Sequence, residues 1–217
     1  MLTHNHLSII FLKILIIVTS TTTSKKSMPT RFFHVSKGNF SETVKNDTFT
    51  YGSISGSVDG IELRTNHKKD GGEFQNWHLL MSDQMTGERY DIALSRTSNV
   101  LISIIRSLAS DEGLCSLHDV KICASPATID TFTNIKVIAG GHSLSWMPCE
   151  VPALQCYRKA GRLVTCDEER FKWVSTIVDL INKKIESERY HSPFSDGNMY
   201  PEYNEVCEEG QNYDNEI

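Results

Sequence analysis

Alternation with a period of two runs through the first half of the chain and gives way to helical spacing near the middle. Phe74 to Asp83 sets Trp77, Leu79 and Met81 on one face and Phe74, Asn76, His78 and Leu80 on the other, as in a half-buried strand. After the turn QMTGE, Tyr90, Ile92 and Leu94 alternate with Arg89, Asp91, Ala93 and Ser95. Upstream, Thr48 to Thr65 is rich in Thr, Ile and Val but is punctuated by Gly52, Gly56 and Gly60, which predicts a strand with bulges or a close backbone approach. The polar turn Asn66 to Glu73 joins it to the next strand, giving a three-stranded meander. From Thr97 to Ala109 the apolar positions become Val100, Leu101, Ile104, Ile105 and Leu108, the spacing of an amphipathic helix with Thr97 or Ser98 as its cap. Two further strands are predicted near 119–127 and 132–141.

The order β-β-β-α-β-β is that of the OB-fold, a five-stranded Greek-key barrel. The expected fold is therefore mainly β: an OB-like barrel at 48–146 with a helix between strands 3 and 4. A linker and C-terminal helix follow at 147–190, with Phe171, Val174, Ile177, Val178, Ile181 and Ile185 on one stripe of the helix at 167–188. That helix packs on the barrel or pairs subunits. Residues 28–47 read as an N-terminal arm.

Charge changes the picture at the C-terminus. From His191 to Ile217 there are seven acidic residues and no Lys or Arg, against a net charge of −5 for the whole chain. Such a segment cannot bury enough apolar surface to offset its ordering entropy, so 191–217 is expected to be a disordered acidic tail. Its expected use is partner contact or competition with a polyanion for a basic groove. At the other end, residues 7–18 are apolar but shorter than the roughly 20 residues a membrane helix needs. Residues 1–27 read either as a secretory leader or as sequence ahead of a true start at Met28, and the weak signal features favour the start at Met28. No membrane association is expected in that case.

The six cysteines are irregularly spaced in a long chain, which suits reduced thiols better than a disulfide framework. Cys115, His118 and Cys123 lack the paired knuckles of a structural zinc site, so no metal or other cofactor is expected. No phosphate-cradling loop, HExxH or GxSxG is present, and GGHS at 140–143 reads as a strand-ending turn or as a seat for a reactive group. An enzyme is the minority reading.

A binding surface remains. Single-stranded nucleic acid needs cations along its phosphates and aromatic faces under its bases. Arg64, Lys68, Lys69, Arg89 and Arg96 are the candidate cations. Phe74, Trp77, Tyr90 and Phe132 are the candidate stacking residues, with His78 beside Phe74 on the face opposite Trp77. Periodicity alone puts Trp77 and Tyr90 in the core more readily than on a surface.

The runs YGSISGSVDGIELRTN, FQNWHLLMSDQMTGERYDIALSR, SNVLISIIRSLAS and TNIKVIAGGHSLSW resemble the OB-fold single-stranded DNA-binding proteins of tailed bacteriophages, particularly crAss-like phages, over roughly Phe49 to Trp146. The resemblance implies coating of single strands in phage DNA replication or recombination, in the host bacterial cytoplasm, with no cofactor and no reaction. It also implies replication or recombination proteins as tail partners. In better-known members the tail ends in a Pro-Phe tip, whereas this one ends YDNEI, which leaves its partner open. The competing readings are a secreted or surface β-rich binding module with a signal and disulfides, and a small hydrolase or metal enzyme using the GGHS turn or the Cys/His cluster.

Overall fold

A computed structural model describes residues 29–67, 71–128, 132–159 and 162–190. Along the chain lie β1 (Thr30–Ser36), β2 (Asn39–Val44), β3 (Asp47–Tyr51), β4 (Ser53–His67), β5 (Glu73–Ser82), β6 (Arg89–Ser95), α1 (Asn99–Leu108), α2 (Asp111–Leu114), β7 (Val120–Pro126), β8 (Thr133–Ala139), β9 (His142–Ser143), β10 (Gln155–Lys159), β11 (Arg162–Cys166) and α3 (Glu168–Tyr190). The leader at 1–27, Met28 and the acidic tail lie outside the described residues, as do Lys68 and Lys69.

The expected meander is β4, β5 and β6, and α1 falls where the helical spacing puts it, with Ser98 Oγ accepting from the Leu101 N–H as its cap. The closed five-stranded barrel is not formed. Nine strands make one sheet in the order β3-β2-β1-β6-β5-β4-β7-β8-β9. Closure of the five expected strands would require β8 to reach β6, but the free side of β6 is taken by β1, paired parallel with it from Thr30 opposite Arg89 to His34 opposite Ala93.

The segment read as an arm thus supplies two strands of the sheet. Its turns are explicit. Lys37 and Gly38 (φ 48° and 78°), then Lys45 and Asn46 (φ 50° and 79°), both adopt the positive φ pair of tight hairpin turns whose twist matches the flanking strands. The first turn folds back onto the far end of the sheet. The Gly38 N–H donates to Thr133 Oγ1 at 2.9 Å, and a Cβ at Gly38 would lie 2.1 Å from the Pro126 nitrogen. The sheet is therefore rolled without a closing ladder.

β4 is the strand on which this roll turns. Its first residues pair with β7 (Ser53 to Gly56), its remainder with β5, and the register shifts between Val58 and Gly60. A Cβ at Gly56 would lie 2.5 Å from the Ser82 carbonyl oxygen, so the predicted close backbone approach is real.

The inner face carries Phe33, Phe40, Ile61, Trp77, Leu79, Met81, Ile92 and Leu94, covered by Leu101, Ile104, Ile105 and Leu108 of α1. The α3 stripe, Val174, Ile177, Val178, Ile181 and Ile185, is buried within the same core. Each such aliphatic side chain removes enough area from water to contribute about 1.5–3 kcal/mol. At the rim, Arg31 sits among Glu42 (2.6 Å), the Tyr51 hydroxyl (2.8 Å) and Glu88 (3.3 Å), with the Phe33 and Tyr51 ring centroids 5.2 Å away. It fastens β1, β2, β3 and the approach to β6 together. Hydrogen bonding to Glu42 holds the guanidinium more firmly protonated than usual, and the same bond lowers the Glu42 carboxyl below the ordinary range. Among the described residues no helix is long and apolar enough to cross a membrane.

Candidate nucleic-acid interface

The outer face of the sheet follows from the register, because residues directly opposite on neighbouring strands share a face. One transverse row runs Phe32, Asp91, Leu80, and the next runs His34, Ala93, His78, Glu62. Thr30, Arg89 and Ser82 form the row on one side, and Asn76 with Arg64, then Phe74 with Asn66, continue on the other. Phe32 is 63% exposed and Phe74 is 40% exposed. Leu80, in the row of Phe32, is six residues from Phe74, so the two rings lie roughly 20 Å apart along the strand direction.

At the centre of this face Asp91, only 2% exposed, is held between two partners. Arg64 Nη1 donates to its Oδ2 at 2.6 Å, and His78 Nδ1 lies 2.6 Å from Oδ1. Arg64 also donates to Glu62 at 3.0 Å. Burial works against the Arg64 charge, but the bonds to Glu62 and Asp91 outweigh it and raise its pKa. One Arg64 charge thus serves two carboxylates, Asp91 and Glu62, while His78 hydrogen-bonds the buried one. Arg64 supplies less free charge than its exposure suggests.

Arg89 is exposed, and with Phe32, Arg64 and Arg189 it borders a groove of about 720 Å³ that crosses the Phe32 end of the face. Asp59 and Asp83 are on its wall. The Met85 and Thr86 N–H groups bind the Asp83 carboxylate and lower its pKa, and this bonding fixes the β5–β6 turn.

The sequence-derived candidates divide by face. Arg64, Phe74, His78 and Arg89 come together on the outer one. Trp77, 5% exposed, lies on the core face against Phe171 of α3, with centroids 6.0 Å apart. Tyr90 is buried edge-on to Phe33 and donates to Glu88 at 3.1 Å; burial, then Glu88, raises its pKa. Arg96 bridges Gln75 and Asp167 and covers the Phe171 ring at 4.0 Å, so it joins the sheet to α3. Phe132 is exposed beside β8, at the other margin of the sheet. Lys68 and Lys69 belong to the β4–β5 turn, outside the described residues.

Phe32, His34 and Arg189 were not among the candidates. The alternation of Arg31, Phe33 and Val35 against Phe32 and His34, followed by a Lys-Gly turn, is the signal that identifies β1. Arg189 comes from the end of α3, where only the packing of that helix brings it to the groove.

Elsewhere, Gly140 and Gly141 (φ 55° and 81°) make the turn between β8 and β9, the first of the two readings of GGHS. His142 shares a cavity of about 520 Å³ with Cys115, Asp111 and Glu112. Among the described residues no three His, Cys, Asp or Glu side chains gather as a metal would need, and Cys115, Cys123, Cys149, Cys156 and Cys166 are free thiols. Neither a protein-family model nor any curated protein or solved structure matches the chain.

Proposed function

We propose that this chain is a nonspecific single-stranded DNA-binding protein that acts in phage DNA replication or recombination, without a cofactor. One observation carries the reading: a single sheet face presents two exposed phenylalanines, Phe32 and Phe74, beside a groove bordered by Arg89, Arg64 and Arg189. Stacking planes are sequence-tolerant because every base has a π-face, and cations beside them follow the phosphates. The Asp91 carboxylate at the centre of the face is ion-paired with Arg64, so it repels a crossing strand less than a free carboxylate would, and Arg89 and Arg189 face Asp59 and Asp83 across the groove lining. In this reading the host bacterial cytoplasm is the compartment, Lys68 and Lys69 are kept as phosphate-contact candidates on the sequence alone, and the acidic tail contacts replication or recombination proteins or competes with DNA for the groove.

The test is fluorescence anisotropy of labelled oligo-dT of about 30 nucleotides against protein begun at Met28, with matched duplex as competitor and a salt titration. Binding that weakens steeply with salt and resists duplex supports the proposal. Absence of binding, with and without the tail, refutes it.

A further inference from the structure

β4 carries one residue more than its pairing with β5 can use. Val58 lies opposite Met81 and Gly60 opposite Leu80, so Asp59 is the extra residue of a β-bulge. The core accounts for the bulge: Val58 and Ile61 are both buried, and residues three apart would fall on opposite faces of a regular strand. That requirement fixes where the extra residue stands. It does not call for an acid there.

Asp59 is held firmly on the outer face. Its backbone carbonyl accepts from Arg189 of α3, and its Oδ1 accepts from Ser82 Oγ at 3.0 Å. Ser82 thus engages one carboxylate oxygen, and the second can accept from a ligand. The side chain lines the groove of about 720 Å³ with Phe32, Arg64, Arg89 and Asp83. Asp83 is explained by its turn, where Oδ1 accepts from the Met85 and Thr86 N–H groups. A carboxylate at position 59 repels the phosphates that the arginines attract, so a phosphate track alone gives no reason for it. A ligand group that donates hydrogen bonds does.

We propose that Asp59 gives the groove a base preference, its carboxylate accepting from the exocyclic amine of a base that lies beside Phe32. Cytosine, adenine and guanine carry such an amine, whereas thymine and uracil do not, and acceptance by Asp from cytosine N4 is a recurrent pairing. The inference rests on the single-stranded DNA-binding reading and adds a preference at one position of an otherwise sequence-tolerant track.

Oligo-dC and oligo-dU of about 8 nucleotides, within the ~4–16 that one such fold covers, test it, because the two bases share a ring size and differ at the amine position. In anisotropy titrations at neutral pH the unsubstituted protein should bind oligo-dC about fivefold more tightly than oligo-dU, the low end for a base-edge contact. Asp59→Asn keeps an oxygen for Ser82 and turns an N–H toward the base, so the ratio should fall to one or below. Arg89→Ala should weaken both strands alike and leave the ratio unchanged, as expected of a phosphate contact. Equal binding of the two strands by the unsubstituted protein, a preference that survives Asp59→Asn, or a ratio lost equally in Arg89→Ala overturns the assignment. Failure of the unsubstituted protein to bind either strand overturns the underlying reading instead.

Discussion

The Asn182 side chain grips both backbone groups of Ile61, its Oδ1 accepting from the N–H at 3.0 Å and its Nδ2 donating to the carbonyl at 2.9 Å. β4 loses its β7 partner after Gly56, so at Ile61 an amide from α3 stands where a strand would be. This bond pair explains how a helix seals the exposed edge of a coiled strand.

Asn182→Leu keeps the volume and removes both bonds. Leaving two backbone groups without partners should cost about 2 kcal/mol. The urea midpoint should fall with an unchanged slope, whereas an unchanged midpoint would mean that water replaces the amide at no cost.

Phe32→Ala and Phe74→Ala should each weaken single-stranded DNA binding by roughly five- to a hundredfold, as expected when a stacking plane worth ~1–3 kcal/mol is lost. Trp77→Phe should leave affinity unchanged, because Trp77 faces the core. Anisotropy titrations at one salt concentration compare the three. A Trp77→Phe loss equal to that of Phe32→Ala would place the DNA elsewhere.

Glu42 titrates below the ordinary carboxylate range because Arg31 binds its charged form. Its contribution to stability is therefore complete above the unfolded value of ~4.3 and is lost as pH falls through the lower folded value. Glu42→Gln should lower Tm at neutral pH and flatten the fall of Tm in acid. Parallel acid limbs for the two proteins would show that other carboxylates govern acid unfolding.

Two glycines of the same stretch should behave oppositely. Gly56→Ala drives a Cβ into the Ser82 backbone and should cost about 1–3 kcal/mol, while Gly52, with nothing within 4 Å of its Cβ position, should accept Ala with little change. Equilibrium unfolding of both variants decides whether the crossing of β4 over β5 is as tight as the geometry requires.

What the sequence disclosed was periodicity, and periodicity is local. Trp77, Leu79 and Met81 fall on the core side as their spacing indicates, and α1 and α3 bury the stripes that 3.6-residue spacing picks out. The glycines of β4 were legible as a class, although the bend at Gly52 that divides β3 from β4 was not. The place of β1 was illegible because parallel pairing with β6 depends on a partner nearly sixty residues away, and no local pattern names it. Half of the outer face was missed with it. Cations were misleading for a related reason: Arg64 and Arg96 look free in sequence, but their carboxylates, Asp91 and Asp167, arrive from other elements.

The parallel pairing of β1 with β6 also orders events in time. Thr30 meets Arg89 only after the intervening chain has built its own meander, and long-range pairings form late because loop-closure entropy must be overcome first. Phe32 reaches the face by that pairing. A nascent or partly unfolded chain would thus have its Phe74 half in place and its Phe32 half missing, so under the proposed function the competence to hold a strand would arrive with the final docking step.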